Sequence, residues 1–310
     1  MPDGILPVNK PTGPTSHDIV GMVKKELGAA KAGHLGTLDP MAEGVLLICL
    51  DGATKLAPFI SEQDKEYEGT LMLGVQTDTW DAEGKVTATS DPSNIDREDV
   101  EKVLMSMRGE MEMEAPIYSA IKSGGKPLYK KARRGEKVKP PVRKACVHEM
   151  ELLDYNSPRA VIRCVVSHGT YVRSIAVEAG KRLGVGAHLE KLRRTRSGCF
   201  RVENSVSLED IKSEGGRGLV GEKLVSLKDA LFDMIELSID NEVVSRVSNG
   251  GFVYIEDIDT GKARVKSGKK DKLAKAVDRN GNLVAVMENI EENGREFAWK
   301  PVRVWKHEGK

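Results

Sequence analysis

The 310-residue sequence is poor in cysteine, in aromatic residues and in long apolar runs. Its four cysteines lie far apart and form no CxxC pair, so they predict neither a disulfide framework nor a zinc site. Because each has apolar neighbours, we interpret all four as buried, reduced thiols. The best apolar run, 45–50, is far shorter than the roughly 18 residues that a membrane-spanning helix needs.

Motifs for metals and nucleotide cofactors are missing as well. The chain contains no HExxH, no P-loop and no GxGxxG, so we predict an activity without metal, ATP or NAD. It begins Met-Pro-Asp-Gly, with no basic segment followed by an apolar stretch. This start is not typical of a signal peptide, and we therefore predict a cytoplasmic protein that does not act at a membrane.

Length and pattern predict two domains. At about 150 residues per domain, 310 residues suffice for two. Helix and strand patterns alternate up to about residue 232, whereas short strands and turns follow from 237 onward. An Asn-Gly pair within 278–282 is a hairpin signal. We predict a larger α+β domain at 1–232 and a small β-rich domain at 233–310.

Within the larger domain, apolar spacing predicts the elements around the glycine-rich segment 32–44. Ser16 is expected to be the N-cap of a helix that ends at Gly28. The run 45–50 predicts a buried strand, and Tyr67 begins a strand with alternating burial. A second helix is expected over 171–183.

The net charge of +1 hides two concentrated basic segments. Residues 122–144 contain ten lysines and arginines against one glutamate, and 181–201 contain seven against one. Each segment is either a solvated face or a phosphate-binding surface. Two of them in one chain favour a polyanionic partner. Because 116–145 is also rich in glycine and proline and poor in core residues, we predict that it leaves the core.

Asp39 is the acid best suited to catalysis. It lies among Gly33, Gly36 and Gly44, whose backbones permit close approach by another chain, and just before the buried strand. The pair Asp39-Pro40 also matches an N-cap aspartate followed by proline at the first helical position. From the residues alone, both interpretations stay open.

Three further residues could serve an RNA base or a phosphate, each with a structural alternative. His34 could stack on a base or merely serve a turn, and Tyr67 could stack on a base or be an ordinary amphipathic strand residue. Arg173 lies at the start of a helix, where cations are disfavoured. It therefore indicates an anionic partner, a phosphate or a carboxylate such as Asp39, unless it extends into solvent.

Several motifs occur in a fixed order: KPTGPTS at 10–16, GHLGTLDPMAEG at 33–44, KEY at 65–67, GTYVRS at 169–174 and LRRT at 192–195. Together they resemble the TruB family of tRNA pseudouridine synthases, and GHLGTLDPMAEG carries most of the resemblance. The similarity extends over 4–202 and more loosely beyond. Guide-RNA-dependent relatives share the first motif but lack the basic insertion at 116–145, so the chain resembles the bacterial, stand-alone type.

The resemblance implies the fold, the reaction and the partner. The fold would be a mixed, largely antiparallel central sheet flanked by helices, with 116–145 as a basic thumb and 233–310 as a PUA-like β-barrel that binds RNA. The reaction would convert the T-loop uridine at position 55 of tRNA to pseudouridine after the base is flipped out. Nothing is oxidised or hydrolysed, so no cofactor or metal is implied. The implied partner is the T-stem loop of tRNA, bound by a monomer.

By the same resemblance, Asp39 is the catalytic aspartate and Arg173 its partner, which would favour the ionised carboxylate. The substrate-binding set is completed by Tyr67 against the flipped uracil, Leu192 on the pocket floor, His34 in the vacated space, and Tyr171. The thumb residues that would bind phosphates are Lys130, Lys131, Arg133 and Arg134. Lys10 and Pro11 would shape the wall behind the motif. Whether Asp39 attacks C1′, adds to C6 or abstracts a ribose proton stays open.

Two other functions use the same residues. A non-catalytic RNA-binding or tRNA-folding protein would use the same cleft, but it has no need of an intact Asp39, Tyr67 and Arg173 set. A nucleoside glycosidase would release free uracil. The isomerase is the preferred hypothesis.

Overall fold

The computed structural model describes residues 3–305 except 61, 120, 124–125, 129–133, 135–139, 258–271 and 293–294. The helices of these residues are α1 (Ser16–Leu27), α2 (Ala57–Ile60), α3 (Arg97–Met105), α4 (Val172–Arg182), α5 (Leu208–Lys212), α6 (Gly216–Lys223), α7 (Leu227–Ala230) and α8 (Asn241–Ser248). Within this described part of the chain, no helix has both the length and the apolar character that crossing a bilayer requires.

The strands of the described residues are β1 (Gly4–Lys10), β2 (Ala32–Leu35), β3 (Glu43–Leu50), β4 (Lys65–Leu73), β5 (Val75–Thr77), β6 (Val86–Thr89), β7 (Gly109–Glu114), β8 (Lys122–Ser123), β9 (Lys126–Pro127), β10 (Val142–Asn156), β11 (Arg159–Val166), β12 (Ala187–Ser197), β13 (Phe200–Arg201), β14 (Ile235–Ser238), β15 (Leu273–Val277), β16 (Leu283–Glu292) and β17 (Arg295–Val304).

One sheet of nine strands forms the larger part of the protein. Its main path runs β1-β3-β12-β4-β11-β10-β7, with β2 paired to β3 and β13 to β12. Along the path only β12 and β3 are parallel, and the other neighbours are antiparallel. The predicted mixed, largely antiparallel sheet flanked by helices is therefore confirmed.

β3 is buried on both faces, which explains its unbroken apolar run. Leu46 and Ile48 pack in a core cluster with residues of α1 and α4. The alternate residues Val45 and Leu47 pack in a second cluster, which Trp305 joins from the C-terminal part. A strand covered on both sides fixes the position of the segment that precedes it, 36–42.

β4 and β12 lie side by side in the middle of the sheet. Arg194 is opposite Tyr67, and Leu192 is opposite Gly69. Since side chains alternate along a strand, Tyr67 and Leu71 face the core while Glu68 is exposed, as predicted. The same alternation directs Leu192 and Arg194 of β12 inward.

The N-cap of α1 is Thr15, so the prediction of Ser16 was wrong. The Thr15 hydroxyl accepts from the Asp18 backbone N–H, and the Asp18 carboxylate accepts from the Thr15 N–H, which together form a capping box. Ser16 is thereby released to exchange two 2.9 Å hydrogen bonds with the backbone of Leu38. Gly28 ends the helix with a left-handed φ of 67°, as predicted.

The basic excursion after β7 ends earlier than predicted. Residues 142–147 of β10 pair with 109–114 of β7, so 142–145 belong to the central sheet. Ala145 is part of the core. Within the excursion, Leu128 is buried and Arg134 is exposed.

The C-terminal part contains a four-stranded sheet in the order β14-β15-β16-β17. The predicted hairpin is confirmed, because β15 and β16 are antiparallel and Gly281 has a φ of 83° in the turn between them. The strand and turn pattern of this region did not predict α8, which begins after the side-chain cap Asp240. Among the described residues these strands form an open sheet and no closed barrel, so the predicted barrel is not shown.

Trp305 attaches this sheet to the larger part of the protein. Its indole Nε1 donates to the Gly52 carbonyl at 2.9 Å, and the Lys55 ammonium lies 5.9 Å from the ring centroid. The ring is buried with Leu47 and Leu56. The C-terminal sheet therefore packs against β3 and the 3₁₀ turn that follows it.

The cysteines divide into two groups. All four are free thiols; Cys49 and Cys164 are buried, as predicted. The prediction was wrong for Cys146, which is half-buried, and for Cys199, which is exposed. Apolar neighbours in sequence do not fix burial when the residue lies in a turn, as Cys199 does between β12 and β13.

Candidate active site

A pocket of about 200 Å³ lies on the inner face of β4 and β12. Its floor is built from side chains of both strands, namely Lys65, Tyr67, Leu192 and Arg194. One wall is the 36–39 segment, and the facing wall comes from Ser119 and 169–173. The pocket therefore brings together residues from separate stretches of the chain.

Asp39 lies in a turn and not at the start of a helix. The Ala42 N–H donates to the Asp39 carbonyl at 3.1 Å, and the chain enters β3 directly afterwards. Gly36 has a φ of 74°, which glycine adopts without strain. The helix-capping interpretation of Asp39-Pro40 is therefore wrong, and the carboxylate is left to the pocket.

Lys10 holds this turn from behind. Its fully buried ammonium donates to the carbonyls of Pro11, Pro40 and Ala42 at 2.9, 3.1 and 2.7 Å. Burial lowers the pKa of Lys10 to about 8, and Asp39 is the largest opposing influence. The arrangement agrees with a wall-forming role for Lys10, while Pro11 itself is exposed.

Arg173 reaches Asp39 from the second position of α4. Its Nη2 donates to Oδ1 at 3.0 Å, and its Nε lies 2.9 Å from Oδ2, so the guanidinium lies alongside the carboxylate. On its other side, Nη1 is 3.3 Å from Asp81 Oδ2 and donates to the Thr79 carbonyl at 3.1 Å. The sequence analysis missed Asp81, since its spacing marks no motif.

The Asp39 side chain remains 29% exposed, whereas those of Arg173 and Asp81 are 4% and 5% exposed. Burial raises the pKa of Asp39 above its usual value; Arg173 is the strongest opposing influence, and Asp81 adds to the rise. The resemblance led us to expect that Arg173 would favour ionisation, and it does. The surrounding protein outweighs it, because removing water from a carboxylate penalises its charged form.

Arg194 is fully buried beneath the turn. Its Nε donates to the Val45 carbonyl at 2.7 Å, and its Nη2 donates to the Gly36 carbonyl at 2.9 Å. It also opposes the rise that burial causes in the pKa of the Tyr67 phenol, which lies opposite it across the two strands. Arg194 therefore lines the pocket. From the sequence it was noted only within the LRRT motif and the basic run 181–201, and it was not predicted as a site residue.

The basic run 181–201 does not form one phosphate-binding surface. Alternation along β12 sends Arg194 inward and leaves Arg193 exposed. Arg196 lies 3.7 Å from Glu66, and Arg182 forms an ion pair with Glu178. A count of charges along the chain does not reveal this division, because it ignores the strand period of two.

The remaining predicted residues divide between inside and outside the pocket. Tyr171, whose pKa is raised by burial, lines it together with Leu192. His34 lies on β2 opposite Ile48, half-buried and outside the lining, with a buried Nδ1 that has no hydrogen-bond partner.

Of the four residues predicted to bind phosphates, Arg134 is exposed. Lys130, Lys131 and Arg133 lie outside the described residues.

No group of three or more histidine, cysteine, aspartate or glutamate side chains is placed to hold a metal ion in the part of the chain that the structure describes. A reaction without cofactor stays a prediction.

Comparisons with known proteins agree with the motif resemblance. The N-terminal domain of TruB family pseudouridylate synthases matches residues 24–172, and the C-terminal domain of tRNA pseudouridylate synthase B matches 173–227. A tRNA pseudouridine synthase B of Geobacillus kaustophilus is 44% identical over 82% of this chain and 91% of its own. One of Syntrophus aciditrophicus is 42% identical over 80% of this chain and 79% of its own.

Solved structures with the same fold cover nearly the whole chain. An H/ACA ribonucleoprotein bound to a substrate RNA containing 2′-deoxyuridine matches with a TM-score of 0.73 and 25% identity, over 98% of this chain and 85% of that one. A complex of Cbf5, Nop10 and Gar1 matches with a TM-score of 0.72 and 27% identity, over 98% and 84%. The chain belongs to the TruB family of pseudouridylate synthases.

Proposed function

We propose that this protein is an isomerase that converts the uridine at position 55 in the T-loop of tRNA to pseudouridine. The observation that carries the proposal is the Asp39 carboxylate, held by Arg173 at 2.9 and 3.0 Å and still open to a small pocket. Relatives at 44% and 42% identity, both called tRNA pseudouridine synthase B, support tRNA as the substrate.

The chemistry needs one ionised carboxylate in a fixed orientation. The N1–C1′ bond of uridine breaks, a C5–C1′ bond forms, C5 loses a proton and N1 gains one, so the product is an isomer of the substrate. Asp39 serves equally by attack on C1′, by addition to C6 or by abstraction of a ribose proton. Arg173 donates to Oδ1 of Asp39 and lies 2.9 Å from Oδ2, and Asp81 with the Thr79 and Tyr118 carbonyls fixes Arg173.

The pocket suits a base that has left its stack. A volume of about 200 Å³ takes a single pyrimidine, so the target uridine has to be flipped out of the loop to reach Asp39. Tyr67 and Leu192 then pack against the uracil from the floor, and Tyr171 closes the facing wall. His34, half-buried beside the turn and outside the pocket lining, suits the RNA loop from which the base has left.

The larger RNA surface is part of the same proposal. Residues 1–232 form the catalytic domain. Its insertion, which ends at residue 141 because 142–145 belong to the central sheet, acts as a thumb whose Lys130, Lys131, Arg133 and Arg134 bind phosphates. Residues 233–310 form a PUA-like RNA-binding domain, which Trp305 ties to the 3₁₀ turn after β3. The protein acts as a cytoplasmic monomer.

The test is to map pseudouridine in unmodified tRNA transcript incubated with the wild-type protein and with Asp39→Asn. The wild type is expected to modify position 55, and the variant is expected to bind tRNA without modifying it. A transcript with cytidine at position 55 is the matched control. Appreciable turnover by Asp39→Asn would refute the role of the carboxylate.

The same incubation separates the alternatives. Annealing of tRNA by the wild type without any isomerisation would favour the tRNA-folding protein. Release of free uracil, detected by chromatography, would favour a glycosidase.

A further inference from the structure

The pocket floor carries two cations that meet beneath the catalytic turn. The Lys65 side chain is largely buried and Arg194 is fully buried. A Cβ on Gly36 would lie 3.3 Å from both Lys65 Cε and Arg194 Nη1, so both side chains contact the same point of the turn. The Lys65 ammonium is anchored by the Gln63 carbonyl at 2.7 Å.

The strand geometry places Lys65 at the edge of the site for the base. Lys65 and Tyr67 are two residues apart on β4, so they share one face and lie about 7 Å apart along the strand. Arg194 is opposite Tyr67 on β12. A ring that packs on Tyr67 therefore presents its edge, where the carbonyl oxygens lie, toward Lys65.

Two buried cations side by side are costly for the fold. Burial, and then Arg194, lower the pKa of Lys65 to about 8, while Asp64 acts in the opposite direction. Apolar residues of similar size would fill the same space without this cost. Both side chains line the pocket, so negative charge that enters it with the substrate meets these two cations.

We propose that Lys65, supported by Arg194, donates a hydrogen bond to a carbonyl oxygen of the flipped uracil and stabilises the negative charge that develops on the ring. The inference rests on the proposed function and extends it to the other side of the pocket. Lys65 keeps its proton throughout, so it acts as an electrostatic catalyst and not as an acid or base.

Ring charge arises in each role left open for Asp39. When the N1–C1′ bond breaks after attack at C1′ or proton abstraction from the ribose, the bonding electron pair remains on the uracil and spreads over O2 and O4. When Asp39 adds to C6, the same kind of charge appears on the O4 side. In every case an electron pair of the uracil forms the new bond from C5 to C1′. The bond from Asp39 to C1′ or to C6 breaks with its electron pair returning to the carboxylate, or Asp39 returns the proton that it took from the ribose. C5 then loses its proton and N1 gains one.

The test measures single-turnover rates on tRNA transcript with the full-length protein. Lys65→Met is expected to lower the rate by about 10- to 100-fold, the value of a hydrogen bond to a charged group, without weakening tRNA binding. Lys65→Arg keeps the charge and is expected to restore most of the rate. Lys102→Met, which removes an exposed lysine from α3, is the matched control and should match the wild type.

The pH profile separates Lys65 from Lys10, whose pKa is also about 8. A lysine with a lowered pKa is charged below pH 8 and loses its charge above it, so the wild-type rate should fall as pH rises through about 8. Lys65→Arg should move this fall to higher pH, because guanidinium stays charged. A fall that stays at the same pH in Lys65→Arg would assign it to another group and overturn the proposal.

The outcomes distinguish this inference from the proposed function. If the wild type makes pseudouridine and Lys65→Met is equally fast, the role of Lys65 is refuted while the function stands. If the wild type makes none, both fall. Since methionine removes a buried charge, the variant should melt no lower than the wild type; if it does not fold, the rate and pH profile of Lys65→Arg decide the question.

Discussion

The two sides of the pocket surround their positively charged side chains with different neighbours. On the α4 side, Arg173 lies between two carboxylates, Asp39 at 2.9 Å and Asp81 at 3.3 Å. On the floor, Lys65 and Arg194 lie side by side, and burial together with this neighbour lowers the pKa of Lys65 to about 8. The first arrangement pairs its cation with carboxylates of the protein, whereas the second places two cations on the floor of the pocket.

This difference follows from what each side has to do. In the proposed function the Asp39 carboxylate must keep one orientation, and a guanidinium fixed by several acceptors provides it. In the same proposal the ring that leaves the ribose brings its own charge, which fixed donors can stabilise without reorganisation. One side of the pocket would thus position Asp39, and the other would stabilise a charge that exists only during the reaction.

The largest effect is expected when the α4 side of the pocket loses Arg173, the cation that lies between Asp39 and Asp81. Arg173→Met leaves Asp39 and Asp81 facing each other in a buried site, so the pKa of Asp39 should rise further and the carboxylate should lose its orientation. We expect activity to fall by at least about 100-fold and the free energy of unfolding by about 3 kcal/mol. Single-turnover rates and urea unfolding measure the two effects. Normal turnover at pH 7 would show that the ion pair does not position Asp39.

The second largest effect is expected from a variant that forces β3 away from β12. This change should lower the stability of the protein. Gly44 has a φ of 105°, and a Cβ there would lie 2.2 Å from the Arg194 carbonyl oxygen, where β3 approaches β12. Gly44→Ala should therefore lower the free energy of unfolding by about 2–4 kcal/mol, through both strain and clash. Gly28→Ala, whose site has a positive φ but open space, is the control for strain alone. Equal losses in the two variants would contradict the close approach.

A smaller effect is expected from halving the negative charge around Arg173. The pKa of Asp39 is raised in the protein, so activity should be lost as pH falls through a value above that of an ordinary aspartate. Asp81 contributes to this rise, hence Asp81→Asn should move the acid limb of the rate profile to lower pH. We expect its rate at pH 7 to fall about tenfold, since asparagine still accepts from Arg173. An acid limb that stays in place would show that Asp81 does not influence Asp39.

Local patterns predicted much of this pocket. The alternation that begins at Tyr67, the apolar run of β3 and the helix that carries Arg173 all follow from periods of two and 3.6 residues. The motif order indicated which of these residues share a site. Where a single element decides the direction of a side chain, the sequence was sufficient.

Features that depend on several elements at once could not be predicted from the sequence. Arg194 belongs to a basic run, yet the neighbouring strands turn it inward, and Asp81 joins the site through a turn without a motif. The pKa of Asp39 depends on how much water the assembled walls remove, which outweighs the nearby Arg173. The Thr15 cap differs from the predicted Ser16 by one residue, because both hydroxyls suit the position and only Ser16 is needed at Leu38.

The smallest effect is expected to distinguish the buried cations of the pocket floor from the thumb residues proposed to bind phosphates. Neutralising Lys130, Lys131, Arg133 and Arg134 together should weaken tRNA binding and reduce its dependence on salt, by about one unit in the log–log slope for each phosphate that the variant leaves unneutralised. Lys65→Met should leave the slope unchanged, because a cation under the pocket releases no counterions from the RNA backbone. Filter-binding titrations across a range of salt concentrations compare the two variants. An unchanged slope in the fourfold variant would remove the thumb from the RNA interface, whereas a reduced slope in Lys65→Met would move the floor cation from the uracil to a phosphate.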